Sequence, residues 1–121
     1  MTEYSDPFRV VSAASDNSQL IKLGECYLTQ LDGGSINDAP VYLHIYDTDV
    51  PPTAGMTPVR STLVPSNATP ANASGSNIPI GIKPVRFKRG LGIRLTKDFL
   101  SSGTTAVDAS EVIVNGSYCV D

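Results

Sequence analysis

The chain has 121 residues, 40% apolar and 17% charged, with a formal net charge of −3, enough for one independent core but not for a second of comparable size. Ten Gly and nine Pro argue against long helices and for an all-β fold rich in turns. No window approaches the roughly twenty consecutive apolar residues of a membrane helix, so no helical span is predicted.

Charge is unevenly spread along the chain. Residues 1–49 carry two basic and eight acidic side chains, 60–97 carry seven basic and none acidic, and 98–121 carry four acidic and none basic. Such segregation suits attraction between copies or toward an acidic partner surface. Nucleic acid fits less well, because the basic stretch holds one aromatic residue, Phe87, in an inward phase, whereas stacking on bases needs exposed rings. The simplest alternative use is a solvated strand face that keeps the protein soluble and discourages edge pairing.

The opening MTEYSDPFRVVSAAS carries acids where an export signal carries Lys or Arg, and it lacks the uninterrupted apolar run. This predicts a protein made in a cytoplasm. Residues 1–7 read as an N-terminal arm and 8–121 as a single domain. Phe8 to Ala14 and Leu20 to Leu31 are extended runs separated by the polar turn Ser15 to Ser18, and the second mixes phases, which predicts a bulge near Gly24. Asp32, Gly33 and Gly34 read as a turn. Then Val41, Leu43 and Ile45 alternate with Tyr42, His44 and Tyr46, giving a strand with one aliphatic and one aromatic face.

A Pro-rich loop follows, in which Pro51 and Pro52 forbid a central strand, and Val59, Ser61 and Leu63 mark a short strand. Pro65 to Asn77 contains no bulky apolar side chain and reads as a long loop, or as an arm that orders against a neighbour. Ile78, Ile80 and Ile82 alternate, with a bend or bulge expected before Val85. From Val85 to Thr96 the cleanest pattern of the chain places Phe87, Leu91, Ile93 and Leu95 on one face and Arg86, Lys88, Arg94 and Thr96 on the other: a half-buried strand with a basic outer side. Asp98 to Ala109 is a polar connection. Glu111 to Tyr118 closes the chain around the buried-looking Val112, Ile113 and Val114. The total is about seven or eight antiparallel strands, as in a β-sandwich or jelly-roll-like domain.

Chemistry is sparse. Cys26 and Cys119 lie far apart among strand-like residues, which suits buried free thiols better than a disulfide. His44, the single histidine, stands between two Tyr and reads as a packing or interface residue rather than a metal ligand or general base. Asp47 and Asp49 have the spacing to grip a divalent cation, but a DxD in a turn more often caps backbone N–H groups. No nucleophile elbow, phosphate loop, zinc motif or dinucleotide fingerprint exists, so neither an enzyme nor a cofactor is expected. The sequons at Asn67, Asn72 and Asn115 are what an Asn-, Ser- and Thr-rich composition produces, and no glycosylation is read from them.

One resemblance emerges from the order of these pieces. Tyr46 and Asp47, then Pro52, Thr53, Gly55 and Pro58, then Gly81, Ile82, Phe87, Gly90 and Leu91, and finally Val114, Asn115 and Tyr118 follow a pattern similar to a group of small virion proteins of tailed bacteriophages, over about residues 40–118. The resemblance implies a compact β-sandwich in the virion, as a capsid decoration or cement protein. Its partners would be the major capsid protein and neighbouring copies of itself, as a homo-oligomer on the particle, with no nucleic acid and no membrane. The expected contact residues are Arg86, Lys88, Lys97, Tyr42, His44 and Tyr46 with Pro65, Asn67, Asn72 and Asn77 of the polar loop, burial within the subunit being the plain alternative for the three ring residues. Two other readings stay open: a tail, neck or tail-fibre component, and a carbohydrate-binding module using Tyr42, His44 and Tyr46 as a sugar platform.

Overall fold

The computed structural model describes residues 5–36, 39–65, 75–77 and 84–120. The strands are β1 (Asp6–Val11), β2 (Gln19–Leu23), β3 (Cys26–Ser35), β4 (Val41–Asp47), β5 (Arg60–Val64), β6 (Gly75–Asn77), β7 (Val85–Phe87), β8 (Gly90–Thr96) and β9 (Val112–Cys119). They form two antiparallel sheets. Sheet A runs β1-β9-β3-β6, with β7 also on β3, and sheet B runs β2-β8-β4-β5. Because β6 meets β3 at Asp32 to Gly34 and β7 meets it at Cys26 to Leu28, both lie along one edge of β3. The nine segments therefore fill eight strand positions. The nested pairs β1·β9, β2·β8, β3·β6/β7 and β4·β5 are those of one long hairpin rolled around a core, the jelly-roll arrangement of two Greek keys.

Alternation explains which faces meet. Val41, Leu43 and Ile45 of β4 and Leu91, Ile93 and Leu95 of β8 point inward, against Leu28 and Leu31 of β3, Val112 and Val114 of β9, Val10 of β1 and Phe87 of β7. Each of these side chains contributes roughly 1.5–3 kcal/mol by leaving water. Ile113, expected in the buried run, is instead 36% exposed, because its neighbours Val112 and Val114 hold the inward phase.

The run from Val85 to Thr96 is two strands in two sheets, not one strand. β7 pairs with β3 in sheet A, and β8 pairs with β2 and β4 in sheet B. The chain crosses between layers at Lys88 and Arg89. The run from Leu20 to Leu31 divides in the same way: β2 belongs to sheet B and β3 to sheet A, and Gly24 is the corner rather than a bulge. The two corners are hydrogen-bonded to each other, Gly24 N–H donating to the Arg89 carbonyl at 2.9 Å. Bulges occur elsewhere, between Leu20 and Lys22 and between Leu28 and Gln30.

Three other expectations shift. Asp32, Gly33 and Gly34 are not a turn but the far end of β3, flanked by β9 and β6. Gly75–Asn77, expected in the long loop, is strand β6, while 66–74 and the Ile78, Ile80 and Ile82 segment lie outside the described residues. β1 begins at Asp6, inside the expected arm, and residues 1–4 lie outside the described residues.

Candidate functional site

The outer face of sheet B is where the chain concentrates its polar chemistry. Across β8, β4 and β5 the cross-strand rows are Thr96–Tyr42–Leu63 and Arg94–His44–Ser61, followed by Gly92–Tyr46. An outward face of this kind is ordinarily solvated. Here the connection from Lys97 to Val107 folds back over it, and every residue of β8 is buried. The bend at Asp16 also comes in from the side, its carbonyl accepting from Leu95 N–H at 2.8 Å.

Arg94 fastens that cover. Its side chain is fully buried, and all three guanidinium nitrogens are engaged. Nε donates to the Asp16 carboxylate at 3.1 Å, Nη1 to the Tyr46 hydroxyl at 3.2 Å and to the Ser101 carbonyl at 2.7 Å, and Nη2 to the Gly103 carbonyl at 2.7 Å. Burial alone would lower the Arg94 pKa, but the bonds to Tyr46 and Asp16 outweigh it and raise it. The expected Arg94 of a basic outer face does lie on that face, but as a buried staple under the connection that covers it. A period-two pattern says which side of a strand a residue takes, and it cannot say what covers that side.

His44 is the second polar anchor. Thr96 Oγ1 donates to the Asp98 carbonyl at 3.2 Å, which leaves that oxygen to accept from His44 Nε2 at 3.2 Å, so Nδ1 accepts the Ser61 hydroxyl at 2.7 Å. Burial holds the His44 pKa below 6.5, with the Arg94 charge acting in the same direction against the opposing Asp98 carbonyl and carboxylate. The folded state therefore prefers the neutral ring. Its contribution is complete above the unfolded pKa of about 6.5 and is lost as pH falls through the lower folded value. The urea midpoint is expected to fall between pH 7 and pH 5. A His44→Gln variant, less stable at pH 7, should show a flatter profile over that range, and equal slopes for the two proteins would remove His44 as the cause.

The second cluster is the corner between β7 and β8. Asp47, at the end of β4, accepts backbone N–H groups of Lys88 at 3.1 Å, Arg89 at 2.8 Å and Gly90 at 3.4 Å. Desolvation pushes its carboxyl upward, but the three donors and the Arg89 charge outweigh this and hold it below the usual range. Asp49 pairs with the Arg89 side chain at 3.0 Å. The DxD pair therefore caps and steadies a turn about forty residues away, and among the described residues no group of three His, Cys, Asp or Glu side chains converges as metal ligands do.

The segregated charges of the sequence neutralise one another on folding. Arg86 pairs with Glu25 at 2.6 Å, Arg89 with Asp49, Arg94 with Asp16, and Lys97 with Asp108 at 3.2 Å, so the basic 60–97 segment is laced to acids on both flanks. Of the expected contact residues, Arg86 and Lys88 are exposed at the β7–β8 corner and Lys97 is partly covered. His44 and Tyr46 are fully buried under the 97–107 connection and present nothing to a partner. Tyr42 is half-buried and meets Phe99 edge-on, with ring centroids 5.6 Å apart. The three rings thus do not form an open sugar platform. Pro65 is half-buried, its carbonyl accepting from Ser35 N–H at 2.8 Å, while Asn67 and Asn72 lie outside the described residues and Asn77 sits at the end of β6 opposite Asp32.

Both cysteines are buried and free. Burial, the largest influence, pushes the Cys26 thiol up to about 11, away from the thiolate that redox chemistry needs. Two features escaped the sequence reading. An apolar cleft of about 230 Å³ opens at the seam between the sheets, lined by Leu28, Ile45, Val59, Arg60, Val85 and Phe87. A shallow groove of about 400 Å³ crosses the outer face of sheet A, where Asn115 donates to Asp32 at 3.1 Å beside Arg9 and Gln30. Neither follows from local pattern, because each joins strands distant in sequence. No protein-family model, curated protein or solved structure matches the chain.

Proposed function

We propose that this chain is a non-enzymatic virion structural protein, a decoration protein seated on the outside of a tailed-phage head. The observation that carries the reading is the jelly-roll strand order, an architecture recurrent in viral shell proteins, in a chain whose residues 40–118 resemble the phage group in the order of their motifs. The argument is one of fold and pattern, and the site adds to it. Three of the residues that carry the resemblance meet at one corner, where Asp47 of β4 holds the turn into Gly90 and Leu91 of β8. The groups with chemical potential are committed to structure, Arg94 and Asp47 fastening loops and His44 joining β4 to its two neighbouring strands.

A shell protein needs repeated modest contacts more than one tight one. The exposed corner bearing Arg86 and Lys88 is the part assigned to the capsid surface. The test is quantification of the chain in purified virions: hundreds of copies per particle support the reading, six or twelve place it in the tail or neck, and absence ends it. On stripped heads, Arg86→Glu with Lys88→Glu is expected to lower occupancy while changing stability by less than about 1 kcal/mol, since the Arg86–Glu25 pair is exposed. Unchanged occupancy would remove the corner from the contact.

A further inference from the structure

We infer that β5 is a self-pairing edge, through which two copies of the chain join as antiparallel strands about a two-fold axis at Thr62. This does not depend on where the protein works. A sheet edge offers a row of backbone donors and acceptors that another strand completes, and proteins that stay monomeric blunt such edges with Pro, Lys, bulges or very short strands. Of the four edges formed by the described residues, three are blunted. β1 carries Pro7 beside Asp6, β2 carries Lys22 and a register shift, and the β6/β7 edge presents, among the described residues, two three-residue segments, the second followed by Lys88. Within its five residues β5 has none of these devices, Pro65 standing just past its end. Its five residues, Arg60 to Val64, pair with β4 without a register break, and its only charge is at its first position. Among the described residues no strand lies on its outward side. At the end of β5 the Pro65 carbonyl accepts from Ser35 N–H of β3.

The side chains fit a second copy. In this register Ser61 faces the partner copy's Leu63, and Arg60 faces the partner copy's Val64. Leu63 is 54% exposed and forms the edge end of an apolar strip with Tyr42 and Phe99, and pairing covers that end, which the monomer leaves in water. Ser61 can be covered without leaving an unpaired group, because His44 already takes its hydroxyl. The two Arg60 residues end up four positions apart, about 14 Å at roughly 3.4 Å per residue, beyond the screening length of about 8 Å. A five-residue edge about 17 Å long falls below the area of a stable complex, so the dimer belongs to the weak class that becomes effective when repeated.

The register can be read directly. Across a two-fold axis at Thr62, Thr62→Cys brings two thiols opposite each other with Cβ atoms about 4.5–5.5 Å apart, close to disulfide range. Arg60→Cys sets them far apart. Under mild oxidation, Thr62→Cys is expected to give a covalent dimer on a non-reducing gel, whereas Arg60→Cys and the unmodified chain, whose two cysteines are buried, stay monomeric. In sedimentation, the unmodified protein should shift from monomer toward dimer as its concentration rises through the high micromolar range, and Leu63→Lys should weaken that association about tenfold or more. A strictly monomeric protein at all concentrations, or equal cross-linking at positions 60 and 62, overturns the inference.

Discussion

Replacing Arg94 by Met is expected to lower the unfolding free energy by about 3–5 kcal/mol, a third or more of the stability of an ordinary domain of about 5–15 kcal/mol. The magnitude follows from what the guanidinium leaves behind. Where a buried ion pair is replaced as a whole by apolar side chains, the exchange is often neutral, because no polar group is orphaned. Here two of the four acceptors are main-chain carbonyls, Ser101 and Gly103, and no side-chain substitution can remove them. Met matches much of the buried volume, so the loss reports lost hydrogen bonds more than a cavity. Arg94→Lys keeps the charge but offers one donor centre in place of a planar fork, and is expected to recover less than half of the loss. Asp16→Asn should cost about 1 kcal/mol or less, because that carboxylate is 34% exposed. Urea unfolding at constant slope measures all three. Hydrogen exchange adds a local readout: the Thr105 and Val107 amides, bonded to Asp98 and Ser15, should lose protection first as the connection lifts. A loss below about 1 kcal/mol for Arg94→Met would mean that the connection is held by something other than the staple.

Strand phase was the legible part of this sequence. The inward Val41, Leu43 and Ile45 and the opposite-facing Tyr42, His44 and Tyr46 follow from alternation alone, since a face pointed at the second sheet must be apolar. The break inside Val85 to Thr96 was hidden for a specific reason. Phe87 in sheet A and Leu91 in sheet B both point into the same core, so the apolar phase continues across the turn. The turn's cause, Asp47 capping three successive amides, lies about forty residues earlier and leaves no local mark. The run from Leu20 to Leu31 hid its corner in a mixed phase that resembled a bulge.

Charge was legible as amount and illegible as use. Seven basic residues and no acid in 60–97 suggest a surface waiting for a partner. The fold instead brings Glu25, Asp49, Asp16 and Asp108 to four of them. In a rolled hairpin, segments far apart in sequence become neighbours, so opposite segment charges are also the simplest way for such a chain to favour its own register. Among the described residues the exposed basic surface is therefore narrower than the sequence implied, and at the β7–β8 corner Arg86 already faces Glu25 while Lys88 stays exposed.

Gly90→Ala should be a severely damaging small substitution, costing about 3 kcal/mol or more. Two independent penalties meet there. Its φ of +155° lies in a region that residues with a side chain rarely adopt. A Cβ would also run into the Thr48 carbonyl oxygen and come within 2.6 Å of the Lys22 carbonyl oxygen. Both obstacles are backbone: Thr48 is itself tied to Gly90 by an N–H to carbonyl bond of 3.0 Å, and Lys22 belongs to β2 on the other side. Relief therefore means separating β8 from a neighbour, and through the bond between Arg89 and Gly24 it disturbs both inter-sheet corners together. Gly24→Ala separates the two penalties. Its φ of +92° is equally unsuited to a side chain, but a Cβ there has nothing within 4 Å, so only the backbone cost of about 1 kcal/mol applies. Thermal and urea unfolding of the two variants should differ by about 2 kcal/mol or more. Equal losses would show that the corner has room to relax and that backbone conformation alone selects glycine at both positions.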